Sequence, residues 1–137
     1  LCVEWLPWSG LKDLKSAWKM VQDTGHANTG LVVDTWHWLR QPGGPDVETL
    51  RKVPGDRIHV VQIDDAPAEG PSDIGESMTL RLLPGEGDVD FQELFAVLSE
   101  IGANPIWGPE VFNLELMALG HDEMARRLNE ACRQLIA

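Results

Sequence analysis

The feature that most constrains the fold is a short unit that occurs four times along the chain. Each unit begins with an apolar run of strand character, and the four runs are LCVEWL (1–6), GLVVDTW (30–36), RIHVVQID (57–64) and NPIWGPEVF (104–112). Each run is followed by a helical pattern of apolar residues, and these patterns cover 7–25, 46–53, 90–102 and 121–137. The sequence therefore predicts four consecutive β-α units in one domain, residues 1–137.

Strands that alternate with helices are typical of a parallel sheet with right-handed crossovers. Two α/β architectures fit this pattern: a small doubly wound sheet, and half of a (β/α)8 barrel. The doubly wound sheet predicts a glycine-rich phosphate turn after the first strand, but the sequence there is EWLPWSG. The half-barrel predicts reactive residues at the carboxyl end of each strand.

Each predicted run is interrupted towards its carboxyl end by a side chain with an oxygen ligand, and these residues are Glu4, Asp34, Gln62 and Glu110. Parallel strands bring such residues to one rim of a barrel. Three carboxylates placed together need a neutralising partner, because each buried charge otherwise loses several kcal/mol of solvation. We therefore predict that this rim binds one divalent metal ion.

Composition narrows the possible partners. The 11 basic and 22 acidic residues give a net charge of −11, which excludes a basic surface for nucleic acid and disfavours anionic membranes. No apolar run approaches the roughly 20 residues of a membrane span, and we expect a cytoplasmic protein. Cys2 and Cys132 are far apart in sequence, and we expect both to be buried free thiols.

The ordered motifs resemble those of one enzyme family. VDTWH, VQIDDAP, RLLPGEGDVDF and GPEVF resemble the C-terminal half of the sugar phosphate isomerase/epimerase family, the xylose isomerase-like TIM barrels, and are most similar to inosose isomerase-type members. The resemblance implies one divalent metal held by Glu, Asp, His and Glu, which correspond here to Glu4, Asp34, Gln62 and Glu110. Gln62 stands where many members have His. An amide oxygen favours Mg or Mn, with Co or Zn as further options.

The resemblance also implies a reaction. A sugar, sugar phosphate or cyclic polyol would lose the proton beside its carbonyl, pass through an enediolate stabilised by the metal, and be reprotonated as an isomer or epimer. Glu4 and Glu110, from the first and last strands, are the expected acid/base pair. Similar barrels include dehydratases of cyclic polyol or shikimate-type substrates, so dehydration is the alternative reaction.

Several further residues near the rim are candidate substrate contacts. His37 follows the second strand, and its imidazole can donate or accept a hydrogen bond. Arg81 precedes the PGEG turn, whose glycines let the backbone approach a ligand. Flat indole faces pack well against sugar C–H groups, or against the barrel itself, and the candidates are Trp5 and Trp36, with Trp8 and Trp107 nearby.

The chain begins directly in a strand, so we expect a piece of a longer barrel whose N-terminal half is absent. Four β-α units alone would leave two apolar sheet edges without partners. We therefore predict association with a missing N-terminal half or with a second copy. A half-barrel that only binds a partner, without catalysis, is the non-enzymatic alternative.

Overall fold

The computed structural model describes residues 1–136 and confirms the predicted α/β architecture. Four parallel strands form one sheet in the order β1-β2-β3-β4, and their bounds are β1 Cys2–Val3, β2 Gly30–Asp34, β3 Ile58–Ile63 and β4 Ile106–Pro109. The register aligns Asp34 of β2 with Gln62 of β3, and Gln62 with Gly108 of β4. The carboxyl ends of these strands therefore lie side by side at one rim.

Helices connect the strands and follow the last one. Their bounds are α1 Leu14–Thr24, α2 Thr35–Arg40, α3 Val47–Leu50, α4 Ile74–Met78, α5 Phe91–Glu100, α6 Leu114–Ala118 and α7 His121–Ile136. Asp46 and Asp90 cap α3 and α5, each accepting a backbone N–H three residues ahead. Gly25 ends α1 in the left-handed conformation that glycine adopts without strain.

Three short helices, α2, α4 and α6, were not predicted from the sequence. The second strand was predicted to extend to Trp36, but β2 ends at Asp34 and α2 begins at Thr35. The loop over 65–88 contains α4, and α6 follows β4. The first strand has only two paired residues, so Glu4 lies just beyond it.

The hydrophobic core lies between the sheet and the helices on one of its faces. Apolar residues from both layers pack in it, including Leu31, Val33 and Val61 of the strands and Leu14, Ala17, Val21, Leu94 and Val97 of α1 and α5. Residues that alternate with them along the strands, such as Val32 and Val60, are only half-buried. The opposite face, which would line the inside of a barrel, is therefore less covered by the described residues.

The cysteine prediction was partly wrong. Both thiols are free, but Cys2 is exposed and Cys132 is half-buried. Cys2 is exposed because β1 is an edge strand, and its Sγ lies 3.5 Å from His59 Nδ1. Burial raises the pKa of the Cys132 thiol. None of the helices within residues 1–136 has the length and apolar character needed to cross a membrane.

The two outer strands, β1 and β4, bear the unpaired edges that the sequence predicts. On β4, Ile106 is 74 % exposed and Trp107 is 42 % exposed. Unpaired backbone groups beside apolar side chains favour pairing with another strand. The 137-residue chain should therefore self-associate when no N-terminal half-barrel is present. We expect a dissociation constant in the low-micromolar range or below, which corresponds to an association free energy of about 8 kcal/mol or more.

Sedimentation velocity over a concentration series tests this association. Ile106→Lys places a charge on the β4 edge and should weaken association at least about tenfold. Met20→Lys is the matched control, since Met20 is a similarly apolar, exposed side chain on α1 away from both edges. A compact monomer at micromolar concentration with cooperative unfolding would contradict the prediction.

Candidate metal centre

Three side chains at the carboxyl ends of β1 and β2 form a compact cluster. Glu4, Asp34 and His37 each offer one ligand atom, and these atoms lie within 4.8 Å of one another. His37 Nε2 lies 3.3 Å from Glu4 Oε1 and 4.0 Å from Asp34 Oδ2. Asp34 and His37 are buried, whereas Glu4 is half-buried.

The local fold explains how Asp34 and His37 meet. Asp34 is the last residue of β2 and also the N-cap of α2, where its Oδ1 accepts the backbone N–H of His37 at 2.8 Å. The capping interaction fixes the first turn of α2 against the strand end. His37 was expected only as a substrate contact, because a strand was predicted through Trp36 where the structure has a helical turn. A D-x-x-H motif at a strand end is the signal that identifies this cap.

Arg81 is a basic residue that links Asp34 to other acidic residues of the rim. Its Nη1 donates to Asp34 Oδ2 at 2.7 Å and to Glu110 O at 3.0 Å, and it also contacts Asp64 Oδ2. Arg81 is 1 % exposed. Its guanidinium lies between the rings of Trp36 and Phe112, with its central carbon 5.2 Å and 4.9 Å from their centroids. Arg81 therefore points into the rim, and its contact with a substrate oxygen stays a prediction.

Asp64 is a member of this group that the sequence reasoning missed. It is fully buried, and Thr35 Oγ1 donates to its Oδ1 at 2.6 Å while accepting its backbone N–H at 2.9 Å. Burial and the nearby Asp34 carboxylate raise the pKa of Asp64 well above its usual value, although Arg81 opposes the shift. The Asp-Asp pair directly after β3 is the sequence signal that could have revealed it.

Gln62 and Glu110 are paired on the β4 side of the rim. Gln62 Nε2 donates to Glu110 Oε1 at 2.7 Å, while the buried Gln62 Oε1 has no hydrogen-bond partner within residues 1–136. Burial, together with the carboxylates of Asp34 and Glu4, raises the pKa of Glu110 to about 7. Glu110 also lies 3.5 Å from Arg81 Nη1 through its Oε2, and Gln62 is the register partner of Asp34 in the sheet, so both residues adjoin the Glu4, Asp34 and His37 cluster.

The raised pKa of Glu110 has a consequence for stability without metal. A carboxyl group whose pKa is higher in the folded state stabilises the fold fully below its unfolded pKa of about 4.5, and this contribution is lost as the pH rises through 7. The unfolding free energy of the metal-free chain should therefore contain a contribution from Glu110 that decreases as the pH rises from about 4.5 to about 7. Glu110→Gln should remove that component, which denaturant titrations at pH 4.5, 6 and 8 would measure. An unchanged pH profile would contradict this prediction.

The charges of the rim suit a divalent cation. Asp34, Asp64 and Glu110 surround one guanidinium, and Glu4 lies beside His37, so the ionised set carries an excess of negative charge. The unpartnered Gln62 Oε1 offers a further neutral oxygen. Carboxylate and amide oxygens with one imidazole form a donor set that Mg, Mn or Zn can use. The residues present therefore fit a metal ion.

The tryptophans divide between the rim and the helical layer. Trp5 is fully buried, and its Nε1 donates to His37 O at 3.4 Å. Trp36 is fully buried too, and the half-exposed Trp8 lies edge-on to both Trp36 and His37. Trp107, also expected near the rim, packs instead against Phe95 of α5 because its side chain points to the helical face of the sheet.

Comparison with known proteins identifies the family. The family model described as xylose isomerase-like TIM barrel matches residues 1–135. The chain is 30 % identical over 99 residues to a 3-dehydroshikimate dehydratase of Pseudomonas putida, covering 72 % of this chain and 15 % of that protein. It is 26 % identical over 131 residues to an inosose isomerase of Bacillus velezensis, covering 96 % of this chain and 45 % of that protein.

A solved structure supports the same relationship. The crystal structure of IOLI protein with a binding zinc atom superimposes with a TM-score of 0.83 at 25 % identity, covering 95 % of this chain and 45 % of that one. The chain thus spans less than half the length of the isomerase relatives that it matches. Its four β-α units correspond to part of a full barrel.

Proposed function

The chain belongs to the xylose isomerase-like TIM barrel family, and we propose that it provides the metal centre and the acid/base groups of a metal-dependent sugar or polyol isomerase or epimerase. The observation that carries this proposal is the convergence of buried acidic groups around Asp34 at the carboxyl rim of a parallel sheet. Such a rim is where TIM-barrel enzymes carry out their chemistry.

We assign the metal to Glu4, Asp34, Gln62 and Glu110, with His37 Nε2 close enough to Glu4 and Asp34 to serve as an additional ligand. When bound, the ion would supply Lewis-acid polarisation of a substrate carbonyl and neutralise developing negative charge. The predominance of oxygen donors favours Mn or Mg. Zinc is supported by the zinc atom bound in the IOLI structure and by the nearby imidazole of His37.

The proposed acid/base pair is Glu4 and Glu110. A pKa of about 7 lets the Glu110 carboxyl hold or release a proton at neutral pH, which is the property that a general acid or base needs. The half-buried Glu4 is open to an incoming molecule from the side of β1. In this proposal one carboxylate removes the proton beside the substrate carbonyl, and the other returns a proton elsewhere.

Substrate contacts are assigned to His37, Arg81, Trp5 and Trp36. The buried guanidinium of Arg81 would donate to a substrate oxygen, and His37 would exchange a hydrogen bond with a hydroxyl. The two buried indoles would form the apolar wall behind them, with the more exposed Trp8 offering an indole face to sugar C–H groups. A small polyol or sugar in the cytoplasm, sugar phosphates included, is the proposed substrate class.

Dehydration is the second candidate reaction. It is favoured by the two dehydratase relatives, from Pseudomonas putida and Pseudomonas aeruginosa, whose identities of 30 % and 34 % exceed the 26 % of the Bacillus velezensis isomerase. The same carboxylates could remove a proton next to a carbonyl and then assist loss of a β-hydroxyl as water.

An isotope experiment distinguishes these reactions. The Mn²⁺-loaded chain is incubated in heavy water with an inosose, a ketose and 3-dehydroshikimate, and the products are followed by mass spectrometry. Isomerisation or epimerisation predicts deuterium incorporation at the carbon beside the carbonyl without loss of mass as water. Dehydration predicts loss of water, whereas no exchange in any substrate, despite bound Mn²⁺, would favour a non-catalytic half-barrel.

A further inference from the structure

Asp65 is a buried carboxylate outside the proposed metal centre, and all its side-chain hydrogen bonds are to backbone N–H groups. Oδ1 accepts from Ala66 at 2.8 Å and Val89 at 3.0 Å, and Oδ2 accepts from Gly85 at 3.0 Å and Gly87 at 2.9 Å. Asp65 is 0 % exposed. Hydrogen bonds to an ionised acceptor are strong, so the PGEGDV loop, residues 84–89, is wrapped around this carboxylate.

The glycines of the loop are required by this arrangement. A Cβ on Gly87 would collide with the Asp65 carboxylate and with the backbone of Ala66. Gly85 has a φ of +88°, which L side chains rarely adopt. The sequence PGEG, whose glycines were expected to allow approach to a ligand, therefore lets the backbone approach Asp65.

Asp65 also holds the residue that follows Arg81. The backbone N–H of Asp65 donates to Leu82 O at 3.0 Å, and the backbone carbonyl of Asp65 accepts the Leu82 N–H at 2.7 Å. On the other side, the Arg81 N–H donates to Phe112 O at 3.2 Å, and Asn113 Nδ2 donates to Arg81 O at 2.8 Å. The backbone around Arg81 is thus fixed between the segment after β4 and Asp65.

We infer that Asp65 is a positioning residue, which holds the 82–89 segment in place and thereby aims the Arg81 guanidinium at Asp34, Asp64 and Glu110. Asp65 has no hydrogen bond to Arg81's side chain among the described residues. It acts instead through the loop backbone. The inference rests on the proposed function only in treating the rim as a metal centre.

The mobility of the Arg81 side chain tests this role directly. In Asp65→Asn, an amide replaces one carboxylate oxygen and points N–H groups at the loop's own N–H groups. The NMR order parameter of Arg81 Nε should fall from roughly 0.8 to below roughly 0.6. The matched control is Asp90→Asn, which alters a nearby carboxylate that caps α5. An Arg81 side chain as rigid in Asp65→Asn as in the control would overturn the inference.

Mn²⁺ affinity gives a readout that a purely structural role would not move. Arg81 Nη1 lies 2.7 Å from Asp34 Oδ2 and competes with a cation for that oxygen. Arg81→Ala should therefore tighten Mn²⁺ binding about fivefold. Asp65→Asn should also tighten Mn²⁺ binding when Arg81 is present. In the double variant with Arg81→Ala, Asp65→Asn should cause no further change in Mn²⁺ affinity. An equal shift in both backgrounds would contradict action through Arg81.

A second variant keeps the test available if Asp65→Asn does not fold. Gly87→Ala leaves the carboxylate intact but pushes the loop away from it, and it should loosen Arg81 in the same way. Rigid Arg81 in this variant would also overturn the inference. If Mn²⁺ binds to no form of the protein, the proposed metal function fails, while Arg81 mobility still decides the role of Asp65.

Discussion

Asp34→Asn is expected to weaken Mn²⁺ binding roughly a hundredfold, which corresponds to about 2.7 kcal/mol. Asp34 is the residue shared by both parts of the rim: it lies beside His37 and Glu4 on one side and is paired with Arg81 on the other. The amide keeps the oxygen that caps α2 but removes the negative charge that a cation needs. Isothermal titration calorimetry with Mn²⁺ measures the change.

Asp46→Asn is the matched control for this loss. Asp46 caps α3 through its Oδ1, which accepts from Thr49 N at 2.9 Å, just as Asp34 caps α2. The two substitutions therefore make the same chemical change at the same type of helix position, and only one lies in the cluster. Unchanged Mn²⁺ affinity in Asp34→Asn, or an equal loss in Asp46→Asn, would show that the acidic rim is not the binding site.

The second large effect is expected at Glu110. Glu110→Gln should slow solvent deuterium exchange into the accepted substrate by roughly 10² to 10⁴-fold, the usual contribution of a general acid or base. The amide retains a ligand oxygen and can still pair with Gln62, but it has no proton to transfer near pH 7. Exchange is followed by NMR or mass spectrometry at saturating Mn²⁺.

The assignment of acid and base has its own check. Glu4→Gln should also reduce exchange. Glu86→Gln is the control, because Glu86 is an acidic residue of the 84–89 loop and has no contact with the rim in residues 1–136. A normal exchange rate in Glu110→Gln with Mn²⁺ bound would remove Glu110 from the proton-transfer step and leave it only as a ligand.

Much of the fold could be predicted because the signals are local and repeated. Apolar runs alternating with helical periodicity determine four parallel β-α units, and the capping side chains of Asp46 and Asp90 locate the helix starts. The short helices α2, α4 and α6 have six or fewer residues and lie outside the predicted helical patterns, whereas the equally short α3 lies within the 46–53 pattern. Each of the three begins at a local side-chain cap, Asp34, Asp73 or Asn113.

The site was less predictable than the fold. Strand ends identify Glu4, Asp34, Gln62 and Glu110 as neighbours on one rim, since register in a parallel sheet follows from the order of strands. Side-chain pairing does not follow from that order. Arg81 comes from a loop after β3 and enters the middle of the acidic group, and Asp64 and Asp65 point to different partners although they are adjacent. Only the folded chain reveals such long-range contacts.

Anomalous diffraction from Mn²⁺-soaked crystals of the chain shows whether this rim binds one divalent cation. The proposal predicts a single strong Mn peak beside Asp34, within ligand distance of the Glu4 carboxylate and with Glu110 or Gln62 completing the oxygen donors. The same soak of Asp34→Asn crystals should lack the peak. A Mn peak elsewhere, or no peak in the parent chain at saturating Mn²⁺, would contradict the account.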